Sequence, residues 1–161
     1  MGKTDELHKL LNSERTKRGL KPARWNQKLW HGCKSHCNYM LSTKRLVHAS
    51  INTIPNGGEC ICGGKGKHSP QTIVKSWMNS PGHKALILSP SIRSHAVAIT
   101  YGKYGTYATW RGSKDTINKS PKFVKWRHQK SSSSPWTKLG WLILASIVIY
   151  ILFFSGLVCT G

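Results

Sequence analysis

The apolar positions in the first part of the chain recur at helical spacing and predict two helices. Leu7, Leu10 and Leu11 mark the buried face of a helix expected over residues 4–18. A second helix is expected over residues 26–41. One face of this second helix carries thiols and an imidazole among its apolar side chains: Leu29, Cys33, His36, Cys37 and Met40.

Two serine-proline pairs in the middle of the chain predict two short helices that meet at a corner. Ser69-Pro70 and Ser80-Pro81 each combine an N-cap residue with proline at the first helical position. The corner between the two helices carries His83. We interpret His83 either as a residue of a functional site or as a side chain that caps or packs at a turn.

Alternating apolar positions later in the chain predict a β-hairpin. Val97, Ile99 and Tyr101 alternate along its first strand, residues 102–105 form the turn, and residues 106–111 form the second strand. A glycine-rich stretch lies between the predicted second helix and the helical corner. These elements together predict an α+β fold in which helices cover a sheet.

The end of the chain has a different character from the rest. Residues 139–158 contain no charged side chain, and a helix of this length would span about 30 Å, the thickness of a bilayer's hydrocarbon core. We therefore predict a domain at 1–113, a basic and serine-rich linker at 114–138 and a single transmembrane helix at 139–158. A helix buried in the domain core is the alternative, but so small a domain could hardly cover a helix that is apolar on all sides.

The charge of the chain favours contact with anionic surfaces. Lys and Arg number 25 against five Asp and Glu, a net charge of +20. Nucleic-acid binding ranks behind lipid binding, because no nucleic-acid-binding motif accompanies the basic residues. Just before the apolar stretch, five cations interleaved with aromatic residues are predicted to contact anionic lipid head groups: Lys119, Lys122, Lys125, Arg127 and Lys130.

Glu59 is the only carboxylate between Arg15 and Lys114. In so basic a region a single acid attracts cations, so Glu59 is interpreted either as a structural ion-pair partner or as a residue of a site.

A set of residues between positions 11 and 88 stands in a recognisable order: Leu11, Asn12, Arg15, Gly19, Leu20, Pro22, Trp25, Leu29, His36, Met40, His48, Gly58, Glu59 and the run 77–88. These residues resemble the CAP superfamily, which comprises cysteine-rich secretory proteins, antigen 5, plant pathogenesis-related proteins and compact prokaryotic relatives. The likeness covers about residues 7–111. Its most specific part is the run with Trp77, Ser80, Pro81, Gly82 and His83.

The resemblance implies an α-β-α sandwich with a central cleft, in which two histidines and one or two glutamates can hold a divalent metal. The matching residues here are His48, Glu59 and His83. Two imidazoles and one carboxylate suit zinc or a similar ion. Without a metal, Glu59 would orient or charge one histidine. Larger members carry a second glutamate where this chain has Asn79 and Ser80, which weakens a hydrolytic role.

The family's known roles are mostly the binding of sterols, other lipids and cell-surface partners, with proteolysis in a few members. We therefore expect a membrane-anchored module that binds a lipid or other small ligand, and we favour binding over catalysis. A metal-dependent, peptidase-like hydrolase that uses the same cleft is the alternative. Binding of anionic lipid or nucleic acid by the basic surface ranks third.

The cysteines allow three states. Cys33 and Cys37 lie one helical turn apart, while Cys60 and Cys62 lie on the same side of an extended segment. They predict two disulfides between helix and strand, a tetrahedral zinc site, or four free thiols. Cys159 is assigned to the anchor.

The charge rule and the resemblance disagree about the side of the membrane. Positive charge on the N-terminal side of residues 139–158 places the domain in the cytoplasm, whereas the resemblance favours an extracytoplasmic domain.

Overall fold

The computed structural model describes residues 2–54, 56–115 and 158–160. The helices and strands follow the order α1 (Lys3–Thr16), β1 (Arg24–Trp25), α2 (Gln27–Thr43), a 3-10 turn (Ile51–Thr53), β2 (Gly57–Gly64), α3 (Pro70–Asn79), α4 (Pro81–Ile87), β3 (Ser94–Gly102), β4 (Gly105–Ser113) and β5 (Val158–Thr160). The strands form one sheet in the order β1-β3-β4-β2-β5. β1 is parallel to β3, and the other pairs are antiparallel.

Local signals in the sequence account for the helix starts. The Asn26 side chain accepts hydrogen bonds from two amides of the first turn of α2, and the Ser69 hydroxyl accepts one from the Thr72 amide. Pro70 and Pro81 occupy the first positions of α3 and α4, as predicted. The predicted hairpin is also confirmed, as β3 and β4.

Helices cover both faces of the sheet. α2 packs on β3 and β4, and we call this side the α2 face. The opposite side, called the α3 face, is covered by α1, α3 and α4. Because strand side chains alternate, Ile61 packs with Met40 of α2, whereas its neighbour Cys60 packs in the core of the α3 face. The expected α+β layering is therefore confirmed.

Glycine is required at the turn between β3 and β4. Gly105 has φ of +146°, a conformation that side-chain-bearing residues rarely adopt. A Cβ at this position would also collide with the carbonyl of Gly64 on the neighbouring strand β2. Only glycine therefore fits at this position beside β2.

The C-terminal predictions fall largely outside the described residues. Residues 114 and 115 are the only described part of the linker, and residues 139–157 of the predicted span are not described; residue 158 begins β5. The five predicted lipid-contacting cations also lie outside the described residues: Lys119, Lys122, Lys125, Arg127 and Lys130. Among the described helices, none has both the length and the apolar character needed to cross a bilayer.

The four cysteines of the domain are divided between the two faces of the sheet. Cys33 and Cys37 on α2 lie on the α2 face, whereas Cys60 and Cys62 lie in the core of the α3 face. Cys33, Cys37 and Cys60 are free thiols. Cys62 is disulfide-bonded and faces Cys159 in the register of β2 and β5. The disulfides from helix to strand and the four-cysteine zinc site are not formed, because the sheet separates the two pairs.

Candidate functional site

Glu59 lies on β2 and points to the α2 face, where it forms an ion pair with Arg111. The two residues are directly opposite each other in the antiparallel register of β2 and β4. Arg111 donates from Nε to Oε2 of Glu59 at 2.8 Å, and its Nη2 lies 2.7 Å from the same oxygen. Both side chains are buried. Such a pair fixes the carboxylate in the sheet, since each partner would be costly to leave alone.

The second oxygen of Glu59 holds the segment that carries His48. Oε1 lies 3.0 Å from Nδ1 of His48 and accepts a hydrogen bond of 3.0 Å from the Ala49 amide. A carboxylate only accepts hydrogen bonds, so Nδ1 of His48 is the donor. The other ring nitrogen, Nε2, therefore keeps its lone pair in the neutral imidazole.

His36 on α2 anchors the same segment from its other side. Its Nε2 donates to the Val47 carbonyl at 2.8 Å and lies 3.9 Å from Oε1 of Glu59. The His36 ring also stacks on Tyr39, at an interplanar angle of 15°. Because Val47 is bound to His36 and Ala49 is bound to Glu59, the backbone is fixed on both sides of His48.

The electrostatics of this cluster keep Glu59 ionised. Burial alone would raise the pKa of Glu59, but the hydrogen bond from His48, the charge of Arg111 and the Ala49 amide lower it to about 2. For His36, burial lowers the pKa and outweighs the opposing effect of Glu59. At neutral pH the cluster is a carboxylate paired with a guanidinium, with a neutral His36 beside it.

His48 is the member of this cluster that reaches solvent, with 35% of its side chain exposed while Glu59 is fully covered. An imidazole held at Nδ1 by a buried carboxylate has a defined orientation and tautomer. Its Nε2 can accept a hydrogen bond, bind a metal ion or accept a proton. His48 is thus where the buried network can meet a ligand.

His83 lies where α3 and α4 meet, as the two serine-proline pairs predicted. It lies on α4 and is completely buried, beside the contact in which Leu86 of α4 approaches Gly58. In the described structure, the hydrogen bonds and ion pairs of Glu59 do not include His83. The predicted association of Glu59 with His48 is formed, and no such contact joins Glu59 to His83.

The predicted metal site can be compared with this geometry. Within residues 2–54 and 56–115, no group of three or more His, Cys, Asp or Glu side chains is arranged to hold a metal ion. Both oxygens of Glu59 are already engaged by Arg111, His48 and Ala49. The divalent ion assigned to His48, Glu59 and His83 stays a prediction.

Two residues of the cluster, Arg111 and His36, were missed as site residues in the sequence. His36 was noted as a member of one face of the second helix and of the set that carries the family resemblance, and Arg111 as the end of the hairpin. The lone acid Glu59 was the signal that could have pointed to Arg111, because a buried carboxylate in a basic domain needs a cation.

The two thiols of α2 lie on the same face but are not reactive. Cys37 contacts Oγ1 of Thr109 at 3.3 Å, and Cys33 contacts the Ala96 carbonyl at 3.6 Å. Burial raises the pKa of Cys37 to about 12 and that of Cys33 further. Both side chains are protonated packing residues at neutral pH.

A second group of imidazoles lies on the α3 face, apart from Glu59. His95 on β3 lies 2.7 Å from Nδ1 of His8 through Nε2, and its Nδ1 accepts a hydrogen bond of 3.0 Å from the Trp110 indole. Burial, followed by the charges of His8 and Arg15, lowers the pKa of His95 to about 3. His95 is therefore neutral and sealed in the core.

Comparisons with known proteins give a consistent result. The profile of the cysteine-rich secretory protein family, CAP, matches residues 8–112. The uncharacterised protein YkwD of Bacillus subtilis is 32% identical, in an alignment that covers 51% of this chain and 36% of that protein. The chain thus spans little more than a third of this curated relative.

Solved structures show the same fold. An outer surface protein of Borrelia burgdorferi matches with a TM-score of 0.58 and 14% identity, over 70% of this chain and 93% of that one. A cysteine-rich secretory protein of Staphylococcus aureus matches with a TM-score of 0.54 and 18% identity, over 68% and 38%. An extracellular SCP-domain protein of Bacillus anthracis matches with a TM-score of 0.53 and 14% identity, over 68% and 40%.

Proposed function

Because the chain belongs to the cysteine-rich secretory protein family, CAP, we propose that its domain is a binding module that takes a lipid or another small ligand at His48. The observation that carries the proposal is the partly exposed His48 imidazole, held from behind by Glu59. A polar group of the ligand, such as a hydroxyl or a carboxyl group, would meet the partly exposed His48 imidazole, already oriented. Preorganisation of this kind lowers the entropic cost of binding.

The electrostatics favour binding over hydrolysis. A general base works best when its pKa is near the working pH, and the pKa of Glu59 is about 2. Arg111 also occupies one of its oxygens. Glu59 therefore acts as an orienting group, and no second carboxylate stands at positions 79 and 80 of the helical corner to take over.

The alternative hydrolase would use His48 itself as the base. A histidine whose Nδ1 donates to a buried carboxylate has the arrangement of the histidine in a hydrolytic triad. This alternative predicts turnover of a peptide or ester substrate that depends on His48. It is separated from the binding proposal by the experiment below.

A divalent ion fits this site only in part. Direct ligation by Glu59 would require the release of His48 or Arg111 from its oxygens. We therefore assign His48 Nε2 as the ligand atom and Glu59 as the group behind it, a common arrangement at metal-bound histidines. Isothermal titration with Zn²⁺ tests this assignment: His48→Ala should abolish binding, and the same titration of His83→Gln decides whether His83 takes part.

The membrane part of the proposal rests on the sequence. Residues 139–158 would anchor the chain, and the cations of residues 119–130 would contact anionic head groups. A span over all of these residues competes with the pairing of residues 158–160 with β2, because the two would lie on opposite sides of the bilayer. The 161-residue chain should remain with vesicles at high salt. Replacing Lys119, Lys122 and Lys125 with glutamine should leave this insertion intact but weaken the preference for anionic over neutral lipid. Protease protection of reconstituted vesicles would decide which side carries the domain.

The central experiment uses the 161-residue chain kept in solution with an amphipathic polymer and cis-parinaric acid as the lipid probe. The fluorescence titration should saturate for the wild type, and His48→Ala should weaken binding by at least about tenfold, the equivalent of 1.4 kcal/mol. His31→Ala, which removes an exposed histidine of α2, is the matched control and should bind like the wild type. Equal binding by His48→Ala and the wild type would reject the proposal.

The same samples test the hydrolase. Each is incubated with a mixed peptide library and with p-nitrophenyl esters of short fatty acids. The binding proposal expects no turnover that disappears in His48→Ala. Turnover that is lost in His48→Ala and kept in His31→Ala would show that this site hydrolyses its substrate, and it would reject the binding proposal.

A further inference from the structure

A second site is suggested by a cavity at the β1 edge of the sheet, remote from His48. The cavity has a volume of about 570 Å³ and opens where the loop between α1 and β1 meets the loop before β3. β3 and β4 lie between β1 and the strand that carries Glu59. The volume is within the range of small-molecule pockets.

The cavity is lined by four cations and by no carboxylate. The cations are Arg15, Lys21, Arg24 and Arg93. Of the acids near α1, Glu14 is already paired with Lys17 and Arg18. Among the described residues, no ion pair involves any of the four lining cations. The positive charge of the cavity is therefore not neutralised by the domain itself.

Arg15 gives the cavity a rigid, charged wall. Arg15 is only 1% exposed. Its hydrogen bonds nevertheless go to main-chain carbonyls and not to a carboxylate. Nε and the two Nη atoms donate to the carbonyls of Lys21, Ile87, Ser89 and Ile92 at 2.6–3.2 Å. These bonds connect α1 to both loops of the cavity. Carbonyls are neutral, so the charge of the guanidinium is retained.

Arg24 and Arg93 are exposed arginines that line the same cavity, and their backbones lie next to each other. The Arg24 amide donates to the Arg93 carbonyl at 3.1 Å, and the Arg93 amide donates to the Ser113 carbonyl at 2.9 Å. Their backbones are thus fixed by the sheet. Two neighbouring arginines repel each other unless an anion lies between them, and their planar groups suit bidentate binding of oxyanions.

From this arrangement we infer that the cavity binds the phosphate monoester group of a small organic molecule. Three cations at the rim and one in the wall match a dianion with several acceptor oxygens. Leu20, Pro22, Pro90 and Ile92 add apolar lining that an organic portion can contact. A soluble phosphate ester and the head group of phosphatidic acid share this chemistry.

The test compares these two sources on the 161-residue chain kept in solution with an amphipathic polymer. Glycerol 1-phosphate is the soluble probe, and dihexanoyl phosphatidic acid is the lipid probe. Binding is measured by isothermal titration and by ³¹P line broadening. Either probe should bind with a dissociation constant below about 1 mM, and the tighter of the two identifies the source. Absence of binding by both would overturn the inference.

Charge-matched variants separate a built site from general attraction to a basic protein. Arg24→Gln/Arg93→Gln should weaken binding at least tenfold. Arg45→Gln/Lys75→Gln removes the same charge from exposed positions outside the cavity and should stay within twofold of the wild type. Equal loss in both variants would show only non-specific attraction and reject the site. Melting temperatures confirm folding.

The result is independent of the binding proposed at His48. His48→Ala should bind the phosphate probes like the wild type. Arg24→Gln/Arg93→Gln should bind cis-parinaric acid like the wild type. Failure of one site therefore leaves the other interpretable.

Discussion

On the α2 face of the sheet, Glu59 is paired with Arg111 and orients a partly exposed His48, whereas on the α3 face His95 is enclosed by His8 and Trp110. Both faces bury imidazoles with specific hydrogen bonds. They differ in charge and in access: the first contains an ionised pair and reaches solvent, and the second is neutral and closed. Hydrogen-bonded histidine alone therefore does not identify a site in this fold.

The largest effect is expected from breaking the ion pair between Glu59 and Arg111. Arg111→Met leaves Glu59 buried without its cation and should lower the free energy of unfolding by about 3–5 kcal/mol, as measured by urea denaturation. Glu59→Gln/Arg111→Met removes the buried charge as well and should be more stable than the single variant. Equal stability of the two would mean that Arg111 contributes through packing and not through charge.

As the pH falls from 7, the first loss of stability should come mainly from His95 on the closed face. His95 has a pKa of about 3 in the folded protein, below the ordinary 6.5, so the unfolded state binds more protons between these values. Titration of His95 leaves the free energy of unfolding unchanged above about pH 6.5 and should lower it by about 2 kcal/mol between pH 7 and pH 5. The lowered pKa values of His8 and His36 act in the same direction.

The Glu59 carboxylate on the α2 face should respond at lower pH. The pKa of Glu59 is lowered to about 2 from 4.5, so its contribution to stability is present above about pH 4.5 and is lost as the pH falls towards 2. Urea denaturation from pH 7 to pH 3 should show both phases. His95→Leu should reduce the upper phase to the part that His8 and His36 contribute and leave the lower one, and a profile unchanged by His95→Leu would contradict the assignment.

The substitution of histidine by leucine on the closed face should affect stability but not binding. His95→Leu removes the acceptor of the Trp110 indole N–H, and an unsatisfied buried donor costs about 1–2 kcal/mol. Binding of cis-parinaric acid should remain at the wild-type level. Weakened binding in a variant that is folded at the assay temperature would show that the two faces are coupled.

The same substitution on the open face should have the opposite effect. His48→Leu removes one hydrogen bond to Glu59, while the Ala49 amide and Arg111 remain, so its cost in stability should be about 1 kcal/mol or less. Ligand binding should be lost. A large fall in the melting temperature without loss of binding would make His48 a structural residue.

Local sequence signals predicted the elements well. Asn26, Ser69-Pro70 and Ser80-Pro81 act within one turn of the helices that they begin, so their effect does not depend on the rest of the chain. The hairpin likewise follows from alternation and a short turn. The two-residue strand β1 was not predicted, because its partner β3 is distant in the sequence.

The site was predicted in part, since its contacts are not local. Glu59 was recognised as the lone acid. Its interpretation as an ion-pair partner corresponds to the contact with Arg111, whereas its interpretation as a residue of a site stays a prediction. Its pairing with Arg111 joins residues 52 positions apart through strand register. The separation of the two cysteine pairs likewise depends on which face of β2 packs against α2. Spacing along the chain does not determine that face.

The hydrogen bonds of Arg15 also constrain the order of folding during synthesis. They join α1 to carbonyls 72–77 residues further along the chain. The first helix can form as soon as it leaves the ribosome, but it cannot complete these contacts until residues 87–92 have emerged. Nascent chains stopped before residue 87 should therefore expose the Arg15 guanidinium to water and show early protease cleavage at this end of the helix.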